Sequence, residues 1–199
     1  EADRVGVLLS PQRYQFLLTW LDRYIFPTDQ VILEDITPAT CCFRLLGTDA
    51  TAVLTQLGAM ELPTVLHHHQ SATIAGVAVQ IALGSGVTQP GFTLIAAQQD
   101  HEVLKTALCN TSLEHDTSPQ SLISPTEWET LRILDGRPAA DAELTEDYNP
   151  LEAGLWQTLS FDKGCYIGQE TIARLNTYQG VKQRLWGVEL SARVDPGPL

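Results

Sequence analysis

Apolar residues recur along the chain in two patterns, which together predict a mixture of strands and helices. Short apolar runs, several of them rich in valine and isoleucine, are typical of buried strands. Such runs occur at residues 4–9, 31–36, 41–46, 72–83 and 92–97, and a partial alternation of apolar and polar residues predicts a further strand at 181–190.

Between these runs, apolar residues at helical spacing predict helices. The predicted helices start after Ser10, Asp49, Asp100 and Ser124, and a further one is predicted at 169–175. The start at Ser124 is the most specific, because Ser124-Pro125-Thr126-Glu127 combines a capping box with a proline in the first turn. Strands and helices in this order predict an α+β fold.

Composition narrows the class of protein. The chain has 199 residues, 44% of them hydrophobic, enough for the core of one large or two small domains. No apolar run approaches the roughly 20 residues of a membrane-spanning helix, and 18% charged residues is typical of a folded chain. The four cysteines lack a Cys-x-x-Cys spacing, which predicts reduced thiols in a cytoplasmic protein.

Charge is unevenly distributed. The net charge of −12 argues against a nucleic-acid-binding surface. Residues 114–162 hold eleven acidic and two basic residues, whereas residues 163–184 hold four basic and one acidic residue. The basic segment is a candidate anion site, and the alternative is a solvated face.

The segment 163–170, Lys-Gly-Cys-Tyr-Ile-Gly-Gln-Glu, is the most informative for chemistry. Two glycines predict a constrained loop that presents Cys165 just before a helix. The helix dipole and Lys163 would both favour the thiolate form. Gln169 and Glu170 lie in the first helical turn. The alternative to a functional role for these two residues is that they only cap the helix. The alternative for a lone cysteine is a small buried hydrophobe.

This octapeptide, with the downstream segments 173–174 and 180–185, resembles the YgfZ family of folate-binding proteins, which shares a superfamily with the aminomethyltransferase (T-protein) of glycine cleavage. Segments 131–138 and 149–155 also resemble both branches. The resemblance implies a tetrahydrofolate-binding protein that supports synthesis or repair of iron–sulfur clusters. Its implied partners are folate and iron–sulfur client enzymes or assembly proteins, including tRNA-modifying enzymes, with no direct nucleic acid and no membrane.

The resemblance also implies a domain plan. Residues 1–40 would complete a first α+β unit, 41–113 would form a ferredoxin-like α+β unit, and 114–180 a helical and loop segment carrying the motif. Residues 181–199 would open a C-terminal β-barrel. Family members are longer, so we expect the chain to be a piece of a longer protein.

Position by position, Cys165 matches the cysteine on which the family depends. The resemblance implies that Lys163 acts beside it, and that further motif residues bind ligand: Gly164, Tyr166, Gly168, Gln169, Glu170 and Arg174. Arg132 matches an arginine that pairs with the glutamate tail of folate, a role that suits a guanidinium fork. A plain surface arginine is the alternative.

Two departures separate the chain from T-proteins. Their acidic Gly-Tyr-Thr-Gly-Glu-x-Gly-x-Glu stretch corresponds here to residues 86–93, Gly-Val-Thr-Gln-Pro-Gly-Phe-Thr, which contain no acid. Where T-proteins have Lys-Gly-Asp-Phe-Ile-Gly, this chain has Cys165 and Tyr166. The missing carboxylates disfavour aminomethyl transfer, which remains the alternative function, and a plain interaction module without folate is a third. The chain is therefore not expected to be a conventional enzyme.

No metal site is expected. Consecutive histidines at His67–His69 would alternate between the faces of a strand, and no second ligand cluster accompanies them. Cys41, Cys42 and Cys109 are expected to be structural, and a stable iron–sulfur cluster held by one chain needs a ligand spacing that these cysteines lack.

Overall fold

A computed structural model describes residues 3–113 and 121–192, and the chain divides into two units, Glu1–Trp128 and Glu129–Leu199. The helices are α1 (Tyr14–Asp22), α2 (Ala50–Gln56), α3 (His101–Asn110), α4 (Pro125–Leu134) and α5 (Gln169–Thr177). The strands are β1 (Thr40–Leu46), β2 (His69–Ile74), β3 (Val77–Leu83) and β4 (Gly91–Ala97). The predicted α+β class is confirmed.

The first unit is organised around one antiparallel sheet in the order β1-β4-β3-β2. Alternate residues of β3, Val77, Val79 and Ile81, are buried on one face, as the two-residue period of a strand requires. Buried residues of α2 and α3, among them Leu54 and Leu104, belong to the same core cluster. Burial of these apolar side chains is the main stabilising contribution in this unit.

One strand prediction is wrong in an informative way. Residues 72–83 form a hairpin of β2 and β3 rather than one long strand, because the chain reverses at Ala75 (φ 50°) and Gly76 (φ 79°). Two successive residues with positive φ are the mark of a type I′ turn, whose twist suits an antiparallel pair. Small and apolar residues on both sides of the turn hid it in the sequence pattern.

Three other predicted strands are also wrong. Residues 4–9, 31–36 and 181–190 contain no strand, and Val5 and Ile32 are more than nine-tenths exposed. A strand needs a partner for its backbone groups, and none pairs with these segments within the described ranges. The predicted opening of a barrel at 181–199 therefore shows no strand as far as residue 192, and residues 193–199 lie outside the described part.

Several other element predictions are confirmed, although the first helix begins at Tyr14 with Arg13 as its N-cap and not directly after Ser10. The strands at 41–46 and 92–97 and the helices after Asp49 and Asp100 form as expected. At the start of α4, the N–H of Ser124 donates to Oε2 of Glu127 over 2.8 Å, and the N–H of Glu127 donates to Oγ of Ser124 over 3.3 Å. This is the reciprocal pattern of a capping box. The predicted polar loop at 110–123 lies partly outside the described residues, since 114–120 are not among them.

The second unit has a small core built on the 149–155 segment. Leu151 is fully buried, and Ala153 and Ile172 are also buried. Asn149 Oδ1 accepts from the N–H groups of Leu151 and Glu152, and the N–H of Asn149 donates to Oε2 of Glu152. This segment thus holds a tight turn. Across both described ranges, no helix has the length and apolar character needed to cross a bilayer.

Candidate functional site

Cys165 lies on a turn that leads into α5 and belongs to the second unit. The N–H of Lys163 donates to Oγ of Ser160 over 3.2 Å. The N–H of Tyr166 donates to Oε1 of Gln169 over 3.3 Å, and the N–H of Gln169 donates to the Tyr166 carbonyl over 3.2 Å. Hydrogen bonds therefore fasten the chain on both sides of the cysteine.

Only one of the two flanking glycines has a conformational reason to be glycine. Gly168, the N-cap of α5, has a φ of 86°, in the left-handed region that side chains disfavour. Gly164 has no such φ, and an added Cβ would meet nothing within 4 Å. The predicted constrained loop thus owes its constraint to Gly168 and to the Tyr166–Gln169 pair.

The Cys165 side chain is exposed, three residues before the N-cap. Of the other thiols, Cys41 is buried, Cys109 half-buried and Cys42 exposed, and all four are free. Nζ of Lys163 lies 4.9 Å from the ring centroid of Tyr166, within range of a cation–π interaction. Because Cys165 is exposed, the alternative interpretation of this cysteine as a small buried hydrophobic residue is wrong.

The hydroxyl of Tyr166 is buried and has no hydrogen-bond partner among the described residues. A buried hydroxyl without a partner costs free energy, so such an atom calls for an explanation. The sequence identified Tyr166 as a motif residue, but it did not indicate that the Tyr166 hydroxyl would be buried without a hydrogen-bond partner.

Glu170 and Arg174 lie one turn apart on α5 and line the same groove, of about 330 Å³. The other lining residues are Thr171, Leu175, Tyr178 and Gly180. Neither charged side chain forms an ion pair with a residue in the described ranges. The groove therefore offers a carboxylate and a guanidinium side by side. Tyr178 and Leu175 were missed by the sequence analysis, although their i+4 and i+1 spacing from Arg174 was available.

Arg132 is not among the residues that line this groove. It belongs to α4 and is almost fully buried. Its guanidinium donates to both carboxylate oxygens of Glu129, to Oε2 of Glu143 over 3.1 Å and to the carbonyl of Arg137 over 3.1 Å. The hydrogen bonding that Arg132 donates to the Glu129 carboxylate is the main cause of a raised pKa for Arg132. The arginine thus joins α4 to residues 137–143, and its role toward folate stays a prediction.

The acid-free segment 86–93 packs through hydroxyls instead of carboxylates. The buried Ser85 hydroxyl donates to the carbonyl of Gln89 over 2.6 Å, and the Thr93 hydroxyl donates to the carbonyl of Gly84 over 2.7 Å. At Gly91 an added Cβ would lie 2.0 Å from the carbonyl oxygen of Leu45, so only glycine fits beside β1. These residues have structural roles within the first unit.

Groups of three or more histidine, cysteine or acidic side chains that could hold a metal ion do not occur in the described ranges. His67, His68 and His69 are exposed, and only His69 belongs to a strand.

Comparison with known proteins places the chain in a family. Residues 2–163 match the family model of the GCVT N-terminal domain. A chloroplastic protein of Arabidopsis thaliana, named as a candidate transferase, is 40% identical over 192 residues, which cover 95% of this chain and 42% of that protein. Its name gives that protein's compartment, and the cytoplasmic location expected for this chain stays a prediction.

Several other relatives are named aminomethyltransferases. That of Halalkalibacterium halodurans is 29% identical over 182 residues, covering 90% of this chain and 47% of the relative. That of Shouchella clausii is 27% identical over 193 residues, covering 96% and 51%. The chain thus spans about half the length, or less, of these curated relatives. With residues 2–163 inside the family model, the chain belongs to the GCVT N-terminal domain family.

Proposed function

We propose that this chain is part of a tetrahydrofolate-binding protein of the YgfZ branch, in which Cys165 is the reactive thiol. The protein would support the synthesis or repair of iron–sulfur clusters in selected enzymes, tRNA-modifying ones among them. The observation that carries the proposal is the exposed Cys165 side chain on a turn fastened by Gly168 and the Tyr166–Gln169 hydrogen bonds.

The chemistry of a presented thiol supports this proposal. A thiol that reacts with a partner, a metal or another sulfur must be accessible, and Cys165 is. A fixed turn lowers the entropy cost of holding the sulfur in one place. Lys163 lies two residues before Cys165 in the sequence and supplies a cation. The Cys41 thiol is buried and therefore cannot be the reactive thiol.

Residues around the turn fit a folate. The ligand has a polar pterin ring and a carboxylate tail. The unpartnered hydroxyl of Tyr166 suits a hydrogen bond to it, and the Arg174 guanidinium suits its carboxylate. Glu170 offers an acceptor for ring N–H groups. When bound, tetrahydrofolate supplies a carrier for one-carbon units.

Aminomethyl transfer is the second candidate, and the names of relatives in Halalkalibacterium halodurans and Shouchella clausii favour it. The residues of this chain favour aminomethyl transfer less than they favour the first proposal. Segment 86–93 carries no carboxylate, and a thiol stands at Cys165 where T-proteins carry an acid. Folate-dependent release of an aminomethyl group from a lipoyl carrier would distinguish the two functions, and we expect none.

Titration of the full-length protein with tetrahydrofolate tests the folate part of the proposal. Calorimetry should show saturable binding that Tyr166→Phe and Arg174→Met each weaken. Arg44→Met, which removes a cation in the first unit, is the matched control and should leave the affinity unchanged. Absence of saturable binding would overturn the folate assignment and favour an interaction module.

A further inference from the structure

A second groove, of about 390 Å³, lies beside the last turn of α5 and contains none of the motif residues. Its lining residues are Trp156, Asn176, Gln179, Val181 and Arg184. All of them belong to the second unit.

Hydrogen bonds fix the backbone on the sides of this groove. Trp156 begins a short 3₁₀ helix, Trp156–Thr158, just after Leu155, whose N–H donates to the Pro150 carbonyl over 2.9 Å. The N–H of Gly180 closes α5 on the Leu175 carbonyl over 2.9 Å. The N–H of Leu185, next to Arg184, donates to the Glu152 carbonyl over 2.9 Å. The groove is thus a preformed feature.

The polar side chains in the groove have no partner among the residues that the structure describes. Asn176, Gln179 and Arg184 form no side-chain hydrogen bond or ion pair with any described residue. Two amides and a guanidinium beside an indole therefore present donors and acceptors to whatever enters. Residues 163–184 carry a net positive charge on an acidic chain, so an anion is favoured locally.

We propose that this groove binds a nucleoside monophosphate. The indole of Trp156 offers a ring on which a base stacks, since base–aromatic stacking is favourable for every base. The amides of Asn176 and Gln179 carry the donor–acceptor pairs that match a base edge. Arg184 binds the phosphate as a fork. A volume of about 390 Å³ accommodates a ligand with one ring system and one anionic group.

Calorimetric titration of the chain with adenosine 5′-monophosphate, adenosine and inorganic phosphate tests the proposal. The monophosphate should bind saturably and more tightly than either of its parts. Arg184→Met should weaken its binding by about tenfold or more, as expected for the loss of a charge-assisted hydrogen bond. Arg174→Met, with the same charge change on the neighbouring groove, should not. Trp156→Phe should retain more affinity than Trp156→Leu, with circular dichroism confirming that each variant is folded.

Three results would overturn the proposal. One is absence of saturable binding at millimolar monophosphate. Another is equal weakening by Arg184→Met and Arg174→Met, which would indicate unspecific attraction. The third is displacement of the monophosphate by tetrahydrofolate with Arg184→Met weakening both ligands alike, because the groove would then belong to the folate site.

Discussion

Tyr166 and Gln169 are joined in both directions, since each backbone N–H reaches an oxygen of the other residue, over 3.3 Å and 3.2 Å. The pair links the residue directly after Cys165 to the first residue of α5. One of its two acceptors is a side-chain oxygen, so this link can be removed by substitution without touching the cysteine.

Gln169→Ala removes the acceptor of the Tyr166 N–H and should free the turn at its second half. Loss of one hydrogen bond on a partly exposed turn should lower the free energy of unfolding by about 0.5–1.5 kcal/mol. Hydrogen exchange should report faster exchange at the Tyr166 amide. Gln183→Ala, at an exposed position, should leave that exchange rate unchanged; equal rates in both variants would contradict the role of the Gln169 side chain.

Gly168→Ala tests the left-handed conformation at the N-cap of α5. A Cβ at φ 86° should cost about 1–2 kcal/mol in the free energy of unfolding. Gly164→Ala is the matched control, since nothing lies within 4 Å of its added Cβ, and its effect should be close to zero. Chemical denaturation of both variants measures the difference, and a larger loss for Gly164→Ala would contradict the account of this turn.

Arg132→Met should destabilise the second unit, because it removes a buried guanidinium that donates to four acceptor atoms on three residues. The partners Glu129 and Glu143 keep access to solvent, so the loss should be about 1–3 kcal/mol. Arg132→Lys should not restore stability, since an ammonium cannot span the same acceptors. Arg174→Met, at an exposed arginine, is the control, and denaturation midpoints should separate the two arginines.

Stability should fall in acid through two carboxylates. The backbone N–H of Ser124 holds the pKa of Glu127 below its usual value, and the backbone N–H of Ala139 does the same for Glu143. A pKa that is lower in the folded chain means that the unfolded chain binds more protons, so stability rises with pH. The contribution should be complete above the usual glutamate value of about 4.3 and lost as pH falls through the lower folded values.

Urea midpoints measured between mildly acidic and strongly acidic pH check this dependence. The double variant Glu127→Gln, Glu143→Gln should lose less stability on acidification than the unsubstituted chain. Parallel curves for the two proteins would show that other groups cause the acid sensitivity.

Local signals predicted local structure well. The Ser124–Glu127 capping box was legible because both partners lie within four residues, and the turn at Cys165 was marked by Gly168. The Ala75–Gly76 reversal was hidden by small and apolar neighbours on both sides. Strands at 31–36 and 181–190 were predicted from the local pattern of apolar residues alone, but strand formation depends on a partner that no local pattern can specify.

In the candidate site, too, the local motif was predictable from the sequence, whereas features that depend on long-range contacts were not. The motif identified Cys165, Tyr166, Glu170 and Arg174, yet the sequence carried no sign of a second groove at Trp156 and Arg184, which depends on how α5 meets the chain beyond it. The burial of Arg132 was likewise invisible, because Glu143 lies eleven residues away and only folding brings it within hydrogen-bond distance.

In the proposed function, Cys165 is the reactive thiol of a protein that supports iron–sulfur enzymes. The most direct test restores the full-length protein to a strain deleted for it and measures the activity of an iron–sulfur enzyme that fails without it. Cys165→Ala should leave that activity at the level of the deletion strain, whereas Cys42→Ala, at the other exposed thiol, should restore it. Full restoration by Cys165→Ala would contradict the claim.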